Sequence, residues 1–156
     1  MRDVACHFRQ MACLARMVLP GIPHHVTQRG NRRERTFFED GDYELYLDLL
    51  ADAAERYGVE VWSHCLMPNP VHIIAVPRDT EALASTFRHV HRQYTGYVNA
   101  RMRVTGHLWQ GRFSSVAMEE QQRWLGLSVQ GSARDKWIVC RLRHGIADMS
   151  RHAGRA

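Results

Sequence analysis

Two strand-like runs joined by a proline-marked corner restrict this chain more than any other feature. Val59 to Leu66 alternates as a strand, Met67-Pro68-Asn69-Pro70 is a tight turn, and Val71 to Val76 is a second strand that stops at Pro77. Strands joined so closely pair as an antiparallel hairpin. One polar residue, His72, stands within the second run. Side chains alternate along a strand, so Pro70 and His72 are expected on one face. A His-hydrophobic-His triplet there would set two imidazoles side by side, able to hold a divalent metal. Here the triplet is Pro-Val-His, and proline carries no ligand atom.

The flanking segments supply the remaining elements. His24 to Arg29 alternates well enough for a first strand, which Gly30 and Asn31 end. His24 and His25 are neighbours, so they face opposite ways and cannot both ligate one metal. From Asp40 to Tyr57, the spacing of Tyr43, Leu47, Leu50, Ala54 and Tyr57 describes one face of a helix, with Asp40 as N-cap and Gly58 as stop. A second helix begins at Asp79 or Thr80, with Leu83, Phe87, Val90, Tyr94, Tyr97 or Val98, and Met102 on its apolar side. Arg88, His91, Arg92, Asn99 and Arg103 occupy its other side, and a fourth strand is entered through His107–Phe113 and runs to about Met118. The order strand, helix, strand, strand, helix, strand predicts an α+β fold. It is the ferredoxin-like split βαβ arrangement, an antiparallel sheet with both helices on one face.

At 156 residues and 45% hydrophobic, the chain can bury a genuine core. Its formal net charge of +5 rests almost wholly on arginine, whose planar fork matches phosphate oxygens, so a polyanionic partner is expected. Arg29, Arg32, Arg33 and Arg35 cluster in the loop after the first strand, where they could grip a phosphate backbone or form an ordinary solvated charge run. Cys6, Cys13, Cys65 and Cys140 form no C-x-x-C pair, which argues for reduced thiols rather than a zinc knuckle or redox motif. With no apolar run near the ~18 residues of a membrane span and no signal-peptide core, a cytoplasmic location is expected.

Four separate blocks carry a resemblance to a known family. They are Pro23-His24-His25-Val26-Thr27-Gln28-Arg29-Gly30-Asn31, Met67-Pro68-Asn69, Val71-His72, and Gly106-His107-Leu108-Trp109-Gln110-Gly111-Arg112-Phe113. In this order they resemble the single-tyrosine HUH transposases, which include the small insertion-sequence transposases and the REP-associated tyrosine transposases. The resemblance implies a transposase-like core over residues 15–120, followed by a divergent segment at 121–156; ahead of it, residues 1–14, whose first ten lack periodicity, are expected to be a disordered extension. It also implies Mg²⁺ or Mn²⁺ held by two histidines and a polar third ligand, with His72 as the matching metal ligand. In the family, a tyrosine from a following helix attacks a phosphate of single-stranded DNA and leaves a 5′-phosphotyrosine link; the cation offsets the charge that develops.

The sequence departs from that pattern twice. Pro70 stands where the first metal histidine belongs, and neither His64 nor His107, the histidines considered as replacements, is placed in the gap by its spacing. After Glu120 the expected helix with its nucleophilic tyrosine is missing: residues 121–156 contain no tyrosine and no proline, as a frameshift in the coding sequence would leave them. The resemblance therefore implies a degenerate transposase that binds single-stranded or hairpin DNA, as a homodimer if it assembles as many relatives do, with strand cleavage impaired. Arg29, Arg32, Arg33, Arg88, Arg92 and Arg112 are the expected phosphate contacts. Trp109 is a candidate stacking platform and equally a candidate core residue. The alternatives are an active metal-dependent enzyme with a rebuilt site and a remnant without function.

Overall fold

Strong local signals and the sheet they feed account for most of the architecture. The computed structural model describes residues 17–118; the expected extension at 1–14 and the divergent segment 121–156 lie outside the described residues. Strand β1 is His24–Gln28, helix α1 Asp40–Tyr57, β2 Val59–Leu66, β3 Val71–Pro77, α2 Ala82–Met102 and β4 Ser114–Ala117. The strands form one antiparallel sheet in the order β2-β3-β1-β4, which is the ferredoxin-like arrangement.

Helix α1 ends where Gly58 takes a left-handed φ of 70°, which L side chains adopt at a cost and glycine does not. Its N-terminus is fixed by Asp42, a fully buried carboxylate that accepts N–H bonds from Phe38 at 2.8 Å and Glu39 at 3.1 Å. Arg101 of α2 completes the site with a two-pronged ion pair to the same carboxylate, one prong at 2.9 Å. Burial pushes the Asp42 carboxyl up, but the Arg101 hydrogen bond, the two backbone N–H groups and the guanidinium charge bring it below its ordinary value.

The core lies between the helices and one sheet face. Val26, Ile73, Val61 and Ala75 meet Tyr46, Leu50, Leu83, Phe87, Val90, Tyr94 and Val98 there. On α1 the buried side runs through Tyr46, Leu50, Ala53 and Ala54, a rotation from the stripe that apolar spacing selects; Tyr43, Leu47 and Tyr57 stay half-buried. The bonds that Tyr46 and Asp42 make inward explain the turn, because polar atoms count for nothing in an apolar tally.

Two expectations need correction. His107–Phe113 is a loop rather than the start of β4, turned by Gly106 (φ 127°) and Gly111 (φ 62°) and touching the end of β1 through a Gly30–Trp109 bridge. His91, placed above on the polar side of α2, has its ring against Trp109 at 4.5 Å and Phe87 at 5.7 Å, with Tyr46 Oη 3.1 Å from its Nε2. Burial pushes this imidazole down to about 3, so it is neutral and accepts the Tyr46 O–H.

Candidate nucleic-acid interface

The blocks that are far apart in sequence meet at the end of β1. Asn69, in the corner between β2 and β3, accepts the Gly30 N–H at 3.1 Å and donates its amide to the Glu34 carbonyl at 2.8 Å. From the other side, Asn31 N–H donates to the Leu108 carbonyl and Gln110 N–H to the Arg29 carbonyl, both at 2.8 Å. Thr36 closes the loop with its N–H at 2.8 Å and hydroxyl at 3.1 Å from the Pro68 carbonyl. A Cβ on Gly30 would come within 2.6 Å of both the Glu34 carbonyl oxygen and Thr36 Cγ2, so only glycine fits. The Met67-Pro68-Asn69 corner and the Leu108-Trp109-Gln110 segment are therefore the two jaws that shape the arginine loop.

Held this way, Asn31–Arg33 forms a 3-10 turn in which Arg32 and Arg33 take φ of 52° and 60°. Left-handed backbone is uncommon outside glycine and costs roughly 1–2 kcal/mol per residue, so the jaws maintain a conformation these residues would not choose. Arg29, Arg32 and Arg33 are exposed along it. Beside the loop is a cavity of about 620 Å³ whose wall includes Asn31, Arg92, Thr95, His107 and Gln110. Arg88 is exposed one turn before Arg92 on α2, and Arg112 is exposed on the 107–113 loop. Trp109 is only 8% exposed, with His91, Tyr46 and Tyr94 around its ring at 4.5, 6.0 and 6.0 Å. It braces the cavity from within and does not stand open as a stacking platform.

The sheet face turned away from the helices carries a second group. Register pairs Thr27 with His72 and His25 with Ile74, so His25, Thr27 and His72 project to the same side. His25 Nε2 lies 3.0 Å from His72 Nδ1 and the rings stack at 5.1 Å, with Thr27 Oγ1 3.4 Å from the same His72 nitrogen. A single proton bridges the two rings, carried by either His25 Nε2 or His72 Nδ1, and the Thr27 hydroxyl can donate or accept to match. Burial lowers the His25 imidazole below its ordinary value, which favours the neutral ring such a pair needs.

The histidine that comes to His72 is thus neither of those considered from the sequence. His64 pairs with Ile73 on the core side, is 3% exposed, and is pushed by burial down to about 4. His107 is exposed on the wall of the arginine-loop cavity. His24, buried at 0%, confirms that the two adjacent histidines face opposite ways. His25 was missed because strand alternation fixes its face only relative to His24, and the β1–β3 register that brings it to His72 is not written in either strand alone.

The chain's five tyrosines all lie on the two helices: Tyr43, Tyr46 and Tyr57 on α1, Tyr94 and Tyr97 on α2. The sheet separates them from His72. Burial raises the phenols of Tyr46 and Tyr94 far above their ordinary value, which disfavours a nucleophilic phenolate.

A hard cation such as Mg²⁺ or Mn²⁺ prefers carboxylate, carbonyl and water oxygens. Around His72 are the His25 imidazole and the Thr27 hydroxyl, with Cys65 opposite it on β2, and no group of three or more His, Cys, Asp or Glu side chains suited to a metal occurs among the described residues. This donor set does not fit Mg²⁺. Among the described residues, no helix is long and apolar enough to cross a membrane.

Comparison with known proteins agrees with the geometry. Residues 20–124 match the family described as Transposase IS200 like. Among solved structures, the chain is similar to a REP-associated tyrosine transposase bound to a REP hairpin, with a TM-score of 0.60 and 18% identity over 75% of this chain and 68% of that one. It is also similar to a candidate transposase of Deinococcus radiodurans R1, with a TM-score of 0.53 and 18% identity over 72% of this chain and 91% of that one. No curated protein matches it.

Proposed function

The chain belongs to the IS200-like transposase family, and on that premise we propose that it binds single-stranded or hairpin DNA in DNA transposition, with strand cleavage impaired. The observation that carries this reading is the clamped arginine loop: the family-like blocks converge to hold Arg29, Arg32 and Arg33 outward in a strained turn. Backbone strain of this kind persists where surrounding contacts enforce it, and it clusters at binding sites. Arg88, Arg92 and Arg112 extend the cationic surface for phosphate contacts, which position a nucleic acid without reading its sequence. A hairpin is the favoured ligand because the REP-associated relative is bound to one.

Impaired cleavage is supported by two features. Pro70 removes one imidazole from the strand that carries His72, and the five tyrosines lie on the helix side of the sheet. One observation favours the rival reading of an active enzyme with a rebuilt site, namely His25 standing 3.0 Å from His72. A homodimer paired edge to edge would use β2 or β4, the outer strands of the sheet among the described residues.

The test uses labelled single-stranded hairpin DNA with the purified protein and Mn²⁺. The expected result is a retarded complex on a native gel and no covalent adduct on a denaturing gel, with Pro70→His alongside also giving none. An adduct from the unaltered protein would establish the rebuilt enzyme. Affinity no better for hairpins than for random single strands, together with a steep salt dependence, would leave only the non-specific attraction of a basic protein.

A further inference from the structure

We propose that the niche between the C-terminal end of α1 and the start of β2 is the docking site of the chain's own N-terminal segment, residues 1–16. The niche has a volume of about 610 Å³, and Ala51, Ala54, Val59, Val61 and Pro77 give it an apolar lining. Its charged groups are Glu55, Glu60 and Arg78. Asp79 stands 3.9 Å from the Arg78 guanidinium and offsets it, so Glu55 and Glu60 set the sign of the niche. In a chain of net charge +5 this is an acidic corner. It lies at the end of the sheet opposite the arginine loop, since β1 follows Gly21 on the niche wall and leaves at Gln28 for that loop.

Three features select the occupant. The first is tethering. Gly21 is on the wall of the niche and its N–H donates to the Pro77 carbonyl at 2.8 Å, which fixes where the chain arrives. Arg16 is five residues from Gly21, and an extended chain spans at most about 3.6 Å per residue, so the segment ends within about 18 Å of this wall. A short link of this kind gives an effective concentration on the order of millimolar. The second feature is charge: residues 1–16 carry Arg2, Arg9 and Arg16 against Asp3 alone, which is opposite in sign to the wall that Glu55 and Glu60 form. The third is apolar content. Val4, Phe8, Met11 and Leu14 lie among those arginines, and the lead-in continues with Met17, Leu19 and Ile22, all exposed. Covering Ala54 and Val59 with such groups removes apolar surface from water on both sides. The first ten residues lack periodicity, which suits a segment whose contacts are set by the surface it meets. This inference stands apart from DNA binding and is tested without DNA.

The experiment places the photoreactive analogue benzoylphenylalanine at position 8 of the full-length protein, irradiates a dilute solution and maps the crosslinks by mass spectrometry. The expected result is crosslinks within one chain to residues 51–61 or 76–78. An exposed ion pair shifts an equilibrium by about 1.4- to 5-fold, so reversing both acids with Glu55→Lys and Glu60→Lys should lower the crosslink yield at least about twofold. Circular dichroism checks that this variant folds. If it does not, amide hydrogen exchange on Phe8→Ser takes its place, with faster exchange expected at Val59 to Val61 and unchanged exchange counting against the proposal. Crosslinks between two chains would make a second copy the occupant and overturn the proposal. Crosslinks confined to other parts of the chain, or a yield that the charge reversal leaves unchanged, would overturn it equally.

Discussion

Replacing Asn69 with alanine tests whether the arginine loop is held from the corner between β2 and β3. The substitution removes two hydrogen bonds of unequal weight. The bond to the Glu34 carbonyl is at an exposed site, where water substitutes at little cost. The bond from Gly30 N–H is not: Gly30 is buried, and Thr36 and Glu34 pack where a replacement acceptor would have to enter. An orphaned buried donor costs about 1–3 kcal/mol, so a net loss of about 1–2 kcal/mol is expected, or roughly 3–8 °C in Tm for a domain of this size. Denaturant melts read the stability, and hairpin-DNA titrations on the same protein read the consequence for Arg29, Arg32 and Arg33, whose affinity should fall even below the melting range. Gly30→Ala reaches the same knot by collision, since its Cβ meets a backbone oxygen at 2.6 Å; overpacking of this kind typically costs about 1–3 kcal/mol. If Asn69→Ala matches the parent within about 0.5 kcal/mol, the range of ordinary surface changes, and binds DNA equally well, the corner does not shape the loop and the argument fails.

Arg32→Gly and Arg32→Ala remove the same charge, but glycine accepts the φ of 52° freely, so the glycine variant should be more stable by about 1 kcal/mol; equal stability in urea melts would deny the strain. For hairpin binding, both should flatten the logarithmic salt dependence by about 0.7 if Arg32 meets one single-strand phosphate. Stability should decline as pH falls below about 6.5, because the unfolded chain protonates His64 and His91 while the folded chain resists until about 4 and about 3. Each ring contributes up to about 1.4 kcal/mol per pH unit in that window, and a flat profile of urea stability between pH 6.5 and 4.5 would contradict it. Asp42 adds a lower step: its depressed carboxyl gives stability that is present above its unfolded value of about 3.9 and lost as pH falls through the folded one, so Asp42→Asn should lower stability at pH 7 and erase that step. Tyr46→Phe should cost about 1–2 kcal/mol in a thermal melt, because His91 Nε2 loses its donor in an apolar setting.

Local chemistry made most of the fold legible. The corner at Met67–Pro70, the stop at Gly58 and the alternation of Val59–Leu66 each act within a few residues, and β2, β3 and α1 fall where those signals place them. What resisted reading depends on partners distant in the chain. His91 sits at a polar position of its helix and is enclosed only because Trp109 and Tyr46 reach it from elsewhere. His107–Phe113 has strand-like residues, but its positive-φ glycines and its role as a jaw for Arg29 and Asn31 keep it a loop. The cationic residues were identifiable singly, whereas the clamp that organises three of them is a tertiary object. His25 is the sharpest case, since the face it occupies could be deduced and the neighbour it meets could not.

The clamp also has a consequence for synthesis. Its outer jaw ties Gln110 N–H to the Arg29 carbonyl, and Asn31 N–H to Leu108, so the loop near the start of the core is completed by residues nearly eighty positions later. Contacts of such wide sequence separation close slowly, since loop entropy must be overcome before they repay it. A nascent chain still on the ribosome carries all its early arginines but lacks the segment that shapes them. If the proposed hairpin binding holds, a shaped loop would be present only after residues 108–110 have been made, so products truncated before them would lack it.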